Sequence, residues 1–129
     1  MGELSKGLRL NPFPGGPMES IGIFMFLMNV GCGALFAVIS IPLLRKEVEM
    51  NHLYGFRISK AFESKENWQK INQHGARGML IWSIILMAAA PLALVLDLEN
   101  SLFLLTFFAF LPLIVFIPII NTCLYARKL

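Results

Sequence analysis

Three long stretches of this sequence contain no Asp, Glu, Lys, Arg or His: Ser20 to Leu44, Gly78 to Leu96 and Ser101 to Ala126. Over all 129 residues only 15% are charged, against 57% hydrophobic, whereas a soluble domain carries about 25% charged residues. That scarcity excludes a disordered regulator, which would be charge-rich and poor in apolar residues. It also argues against nucleic acid as a partner, because a formal net charge of +3 offers little surface for neutralising phosphates. Cysteine is scarce as well. Cys32 and Cys123 sit inside apolar stretches and form no CxxC pair, so they read as small hydrophobes at helix interfaces. The stretches also lack the ionisable groups that mark proton relays and ion paths in membranes. No internal repeat of the kind found in secondary transporters is visible.

Each stretch meets the length of about 18–20 apolar residues that a membrane-crossing helix needs. Backbone inside a bilayer must satisfy its own hydrogen bonds, so helices are expected. The fold class is therefore an all-α integral membrane protein with three transmembrane helices, spanning about 20–44, 78–96 and 101–126. Residues 1–19 read as an irregular outer segment, broken by Pro12, Pro14 and Pro17 around Gly15 and Gly16, with Leu8, Leu10 and Phe13 dipping into the interface. Residues 20–129 form the membrane domain, with a cytoplasmic loop at 45–77. The first stretch is too long and starts too far in to be a signal peptide.

Orientation follows from Lys and Arg. Seven lie in the loop (Arg45, Lys46, Arg57, Lys60, Lys65, Lys70 and Arg77) and two in the tail (Arg127 and Lys128), against Lys6 and Arg9 before the first span. The connection Asp97-Leu98-Glu99-Asn100 has none. This distribution predicts the N-terminus outside and the C-terminus inside. Small residues mark expected helix contacts: Gly31, Gly33, Ala34 and Ala37 in span one, with Gly33 and Ala37 as a small-xxx-small pair, and Ala88 to Ala90 in span two. Pro91, Pro112 and Pro118 should bend their spans, with neighbouring helices satisfying the freed carbonyls. Trp82 and Tyr125 are placed for an aromatic belt.

The loop is polar but patterned. Ser64 is a candidate N-cap, with Glu66 in the first turn. A helix beginning near Lys65 places Trp68, Ile71, Asn72 and Gly75 on one face and should lead into span two with a bend near Gly75 or Gly78. Gly55 between Tyr54 and Phe56 predicts a tight turn. Arg57 could hold a lipid phosphate or a partner carboxylate through its forked donors, or tie down loop and helix carbonyls. His52 and His74 have no third ligand at metal-binding spacing. Ser59 and Ser64 sit in no nucleophile elbow, and no phosphate-binding loop is present. The reading is a protein that is not an enzyme and needs no cofactor or metal.

The pattern Asn51-x-x-Tyr54-Gly55-Phe56-Arg57, followed by Glu66-Asn67-Trp68 and then Asn72 and Gly75, resembles the signature loop of the SdpI family of bacterial membrane proteins. The resemblance covers roughly Val30 onward and departs where the family usually has Thr-Pro and a further Thr, here Ile58, Ser59 and Ala61. It implies a three-span unit in the bacterial cytoplasmic membrane and a role in immunity to, or sensing of, a membrane-active toxin. It marks Asn51, Tyr54, Gly55, Arg57, Glu66, Asn67, Trp68, Asn72 and Gly75 as residues contacting a partner or lipid headgroups. The alternative is a small accessory subunit of a larger membrane complex, docking through the Phe-rich third span. Expected partners are anionic headgroups at the inner face and a membrane protein or a second copy of the chain.

Overall fold

Helix α1 (Met18–Leu44) follows the first apolar stretch almost residue for residue. The computed structural model describes residues 18–129. The irregular outer segment thus falls outside the described residues, apart from its last two positions, which are helical. After a connector containing a 3-10 turn (Ser59–Glu63), helix α2 runs from Lys65–Ala89. Short helix α3 (Leu92–Val95) follows Pro91, and the third stretch is built from α4 (Leu102–Phe110), a 3-10 turn (Leu111–Val115) and α5 (Phe116–Ala126). Three segments, Ser20–Leu44, Lys65–Val95 and Leu102–Ala126, are long and apolar enough to cross a membrane. The chain is an all-helical, multi-pass membrane protein.

The second helix starts where the Ser64 cap predicts and leads directly into the second span. It begins at Lys65, where the extended Ser64 accepts the Asn67 N–H on its hydroxyl at 3.0 Å, and it remains helical through both Gly75 and Gly78. No separate loop helix exists, because residues 65–77 are the leading part of α2. One glycine costs a helix only about 1 kcal/mol relative to alanine. Both glycines here face neighbours that pack closely on them, Phe56 and Pro118. The first true breaker is Pro91, and the helix ends there.

Helix α2 is central, with α1 on one side and α5 on the other. The buried face of α1 consists of Gly22, Met25, Asn29, Gly33, Ser40 and Leu43, spaced three, four or seven apart, as a helical stripe requires. A methyl group on Gly33 would stand 2.5 Å from Met87 Cγ and 3.1 Å from the Ser83 carbonyl oxygen. The close approach of α1 to α2 is therefore made at Gly33. Gly31 and Ala34, read as contact residues, are exposed instead. Small size does not say which face a residue occupies. Cys123 is likewise exposed rather than at an interface, and both cysteines are free.

Pro112 opens the 3-10 turn of the third span. It has no N–H to give the Phe108 carbonyl four residues earlier. Asn29 of α1 supplies that donor: its Nδ2 reaches the Phe108 oxygen at 3.1 Å and the Met25 oxygen at 2.8 Å. Two apolar clusters close the ends of the bundle. Met25, Ala93, Leu98 and Phe108 pack at the turn end, and Ala61, Trp68, Ile71 and Ala126 at the loop end.

Candidate functional site

The connector between α1 and α2 is tied down by side chains reaching backbone groups. Asn51 Oδ1 accepts the Leu53 and Tyr54 N–H groups at 2.8 and 2.7 Å, and its Nδ2 donates to the Glu49 carbonyl at 2.7 Å. This is an Asx-type turn, and it delivers Tyr54 to α1, where the phenol donates to the Ile39 carbonyl. Burial raises the Tyr54 pKa above its ordinary value. Gly55 then adopts φ +120°, a conformation in which a side chain is strained. A methyl group there would also lie 2.6 Å from Asn72 Oδ1 and 3.1 Å from the Trp68 ring.

Gly55 thereby lets the chain pass directly over α2. The Phe56 N–H donates to Asn72 Oδ1 at 2.6 Å, and Asn72 Nδ2 donates to the Trp68 carbonyl at 2.9 Å. The Phe56 ring lies on Gly75, where any Cβ would stand 2.3 Å from a ring carbon. Trp68 is 1% exposed. Its indole N–H donates to the Val48 carbonyl at 3.0 Å, and its ring packs on Phe62 with centroids 5.5 Å apart. Asn67 Nδ2 reaches the Lys60 carbonyl at 3.3 Å, fastening the 3-10 turn to the first turn of α2. Gln73 Nε2 donates to the Leu44 carbonyl at 3.4 Å, at the end of α1.

Two motif residues behave differently. Glu66 is exposed and pairs with Lys70, one helical turn on. Arg57 is exposed, and its guanidinium donates to the His52 carbonyl at 2.6 Å. Arg57 and His52 border an open groove of about 900 Å³, walled by Ile39 and Leu43 of α1, Met79 of α2 and Ile119 and Cys123 of α5. The structure thus brings Asn51, Tyr54, Gly55, Asn67, Trp68, Asn72 and Gly75 into one hydrogen-bonded and packed unit. It leaves Glu66 on the outer surface and sets Arg57 at the edge of the groove. Among the described residues, no three His, Cys, Asp or Glu side chains gather as metal ligands.

A model of the SdpI/YfhL protein family matches residues 47–122, more than half of the chain. The chain belongs to the SdpI/YfhL family. Neither curated proteins nor solved structures give a match.

The SdpI match begins at the connector and ends in α5, so it contains the whole tied unit. The departures at Ile58 and Ala61 have a physical setting. Ala61 is fully buried in the loop-end cluster, and Ile58 packs against the same cluster. Apolar side chains there extend the packing around Trp68. Sequence reasoning missed the partners Ile39, Val48 and Lys60. Their bonds to Tyr54, Trp68 and Asn67 are made by carbonyl oxygens, which every residue has, so no side-chain signal could have revealed those bonds. Also missed was the stacking of His74 on Tyr125, with centroids 4.1 Å apart.

Proposed function

We propose that this SdpI-family protein is not an enzyme but a bacterial cytoplasmic-membrane protein that protects against, or senses, a membrane-active toxin. In this reading the N-terminus lies outside and the loop end inside. The single observation that carries it is the fastening of the family's signature loop, through Gly55, Asn72 and Trp68, onto α2. That helix runs unbroken to Ala89, beside the turn end. Such a rod can pass a disturbance between the two faces of a membrane.

The test is survival. A bacterium sensitive to secreted membrane-active peptides is given the full chain and challenged with a panel of such peptides. Protection against at least one, lost with Asn72→Ala at equal membrane abundance, supports the reading. Equal killing with and without the chain across the panel counts against it.

A second reading, an accessory subunit, is favoured by the third span. Phe103 and Phe110 are 77% and 62% exposed, and a shallow groove of about 370 Å³ runs between Phe103, Phe107, Phe110 and Ile114. Purification in mild detergent separates the two. A stoichiometric larger membrane protein supports the subunit, and a chain free of such a partner supports the first reading.

A further inference from the structure

Once the signature loop's structural contacts are assigned, the loop-end groove and Arg57 remain without a role. We infer that this groove binds one anionic phospholipid, its phosphate on the Arg57 guanidinium and an acyl chain along Ile39, Leu43, Met79 and Ile119. The inference goes beyond the toxin reading and does not depend on it.

Four observations lead there. One apolar wall of the groove comes from three helices, connector residues such as Leu53, Tyr54, Ile58 and Phe62 form the other, and Arg57 and His52 stand at its polar edge with no Asp or Glu among the described lining residues. Its volume of about 900 Å³ falls within the roughly 300–1,000 Å³ usual for ligand sites. Among the described residues Arg57 has no ion-pair partner, and it is the one Lys or Arg that lines the groove. Its single bond to the His52 carbonyl steadies the side chain and leaves the other donors of the fork for a ligand. A guanidinium fork matches the oxygens of a phosphate.

The surroundings select a lipid over other anions carrying an apolar chain. The flanking faces of α1 and α5 are exposed and apolar, with Leu35, Val38, Ile120 and Leu124 outward. The groove therefore opens sideways, where lipid is the surrounding solvent. The cations of the connector and tail stand at this same end, and such clusters attract anionic headgroups.

The full chain is purified in mild detergent and titrated with phosphatidylglycerol, with phosphatidylcholine of identical acyl chains, and with glycerol 3-phosphate, while native mass spectrometry counts bound molecules. One phosphatidylglycerol per chain should be retained, at least about tenfold more tightly than phosphatidylcholine, which has the same phosphate but brings a choline cation up against Arg57 and the neighbouring basic residues. Glycerol 3-phosphate should not bind without its chains. Arg57→Ala should remove most of that preference, with Arg57→Lys recovering only part. Ile119→Trp, which fills the groove, should lower retention of both lipids. Lys65→Ala, a cation away from the groove, is the control. A phosphatidylglycerol carrying a photoreactive acyl chain should label peptides containing Met79 or Ile119. Equal retention of the two lipids, an equal loss with Lys65→Ala, labelling confined to the Phe103–Phe110 face, or a second copy filling the groove would each overturn the assignment.

Discussion

Asn72 gives the sharpest test of how the connector is held. Its side chain is 1% exposed and makes two bonds, accepting the Phe56 N–H at 2.6 Å and donating to the Trp68 carbonyl at 2.9 Å. Asn72→Ala leaves the helix intact, since alanine is the better helix former, but removes the acceptor of the Phe56 amide. Losing a partner for a half-buried donor costs about 1–2 kcal/mol, at the lower end of the range for buried groups. That corresponds to a roughly 5–30-fold shift in a local opening equilibrium. Amide exchange in a native-like bilayer reads it directly. Phe56 should lose protection by about that factor, while the amides of 68–89, held by helix bonds, keep theirs. Asn51→Ala supplies the opposite pattern, exposing the Leu53 and Tyr54 amides, which Asn51 Oδ1 accepts. Unchanged exchange at Phe56 in Asn72→Ala would show that the connector is not held by this bond, and the account of the signature loop would fail with it.

Trp68→Ala should destabilise the protein by about 3 kcal/mol or more, the usual cost of emptying a buried aromatic site. Trp68→Phe loses the bond to Val48 and the indole atoms that pack nearest Gly55, and should cost about 1–3 kcal/mol; reversible denaturation in mixed detergent measures both. Asn29→Leu should cost at most about 1–2 kcal/mol, as interhelical polar contacts in membranes do, because Asn29 Oδ1 is itself buried without a partner. In a Pro112→Ala background, which restores a donor to the Phe108 carbonyl, the same change should cost less; a double-mutant cycle showing no coupling would refute the rescue of that carbonyl by Asn29. For topology, with Cys32 and Cys123 replaced, Glu99→Cys should be labelled by an impermeant thiol reagent in whole cells and Lys65→Cys protected, and the reverse pattern would invert the orientation.

The sequence disclosed the spans because apolar and charged residues segregate so completely, and it disclosed the start of α2 because Ser64 is a local cap. The buried stripe of Trp68, Ile71, Asn72 and Gly75 was legible from spacing alone. What packs onto Gly75 and Gly78 was not, since a glycine's tolerance in a helix depends on neighbours that spacing does not reveal. Phe56 is distant in sequence from Gly75, and Pro118 more distant from Gly78. Gly31 and Ala34 were misread for the same reason: composition marks small residues, but only the partner's position says which of them are covered. The signature residues stood out as a pattern, while their division into holding and unoccupied groups required coordinates. Asn51 and Arg57 look equally polar in sequence, yet one spends its bonds on the loop and the other keeps most of its donors free.

The placement of Arg57 depends on Gly55. The backbone passes over α2 only because residue 55 can adopt φ +120°, and the next amide then meets Asn72. Arg57 follows directly, and its place at the groove edge depends on that crossing. Gly55→Ala combines a strained backbone, costing about 1–3 kcal/mol, with a Cβ forced to 2.6 Å from Asn72 Oδ1 and 3.1 Å from the Trp68 ring. The connector should lift off α2 while the three spans stay helical. Circular dichroism should thus be nearly unchanged, Phe56 should lose amide protection as in Asn72→Ala, and retention of phosphatidylglycerol should fall nearly as far as in Arg57→Ala although the guanidinium is still present. If Gly55→Ala frees the Phe56 amide and the lipid is nevertheless retained at the parent level, the loop does not position Arg57, and the link between the signature loop and the groove is broken.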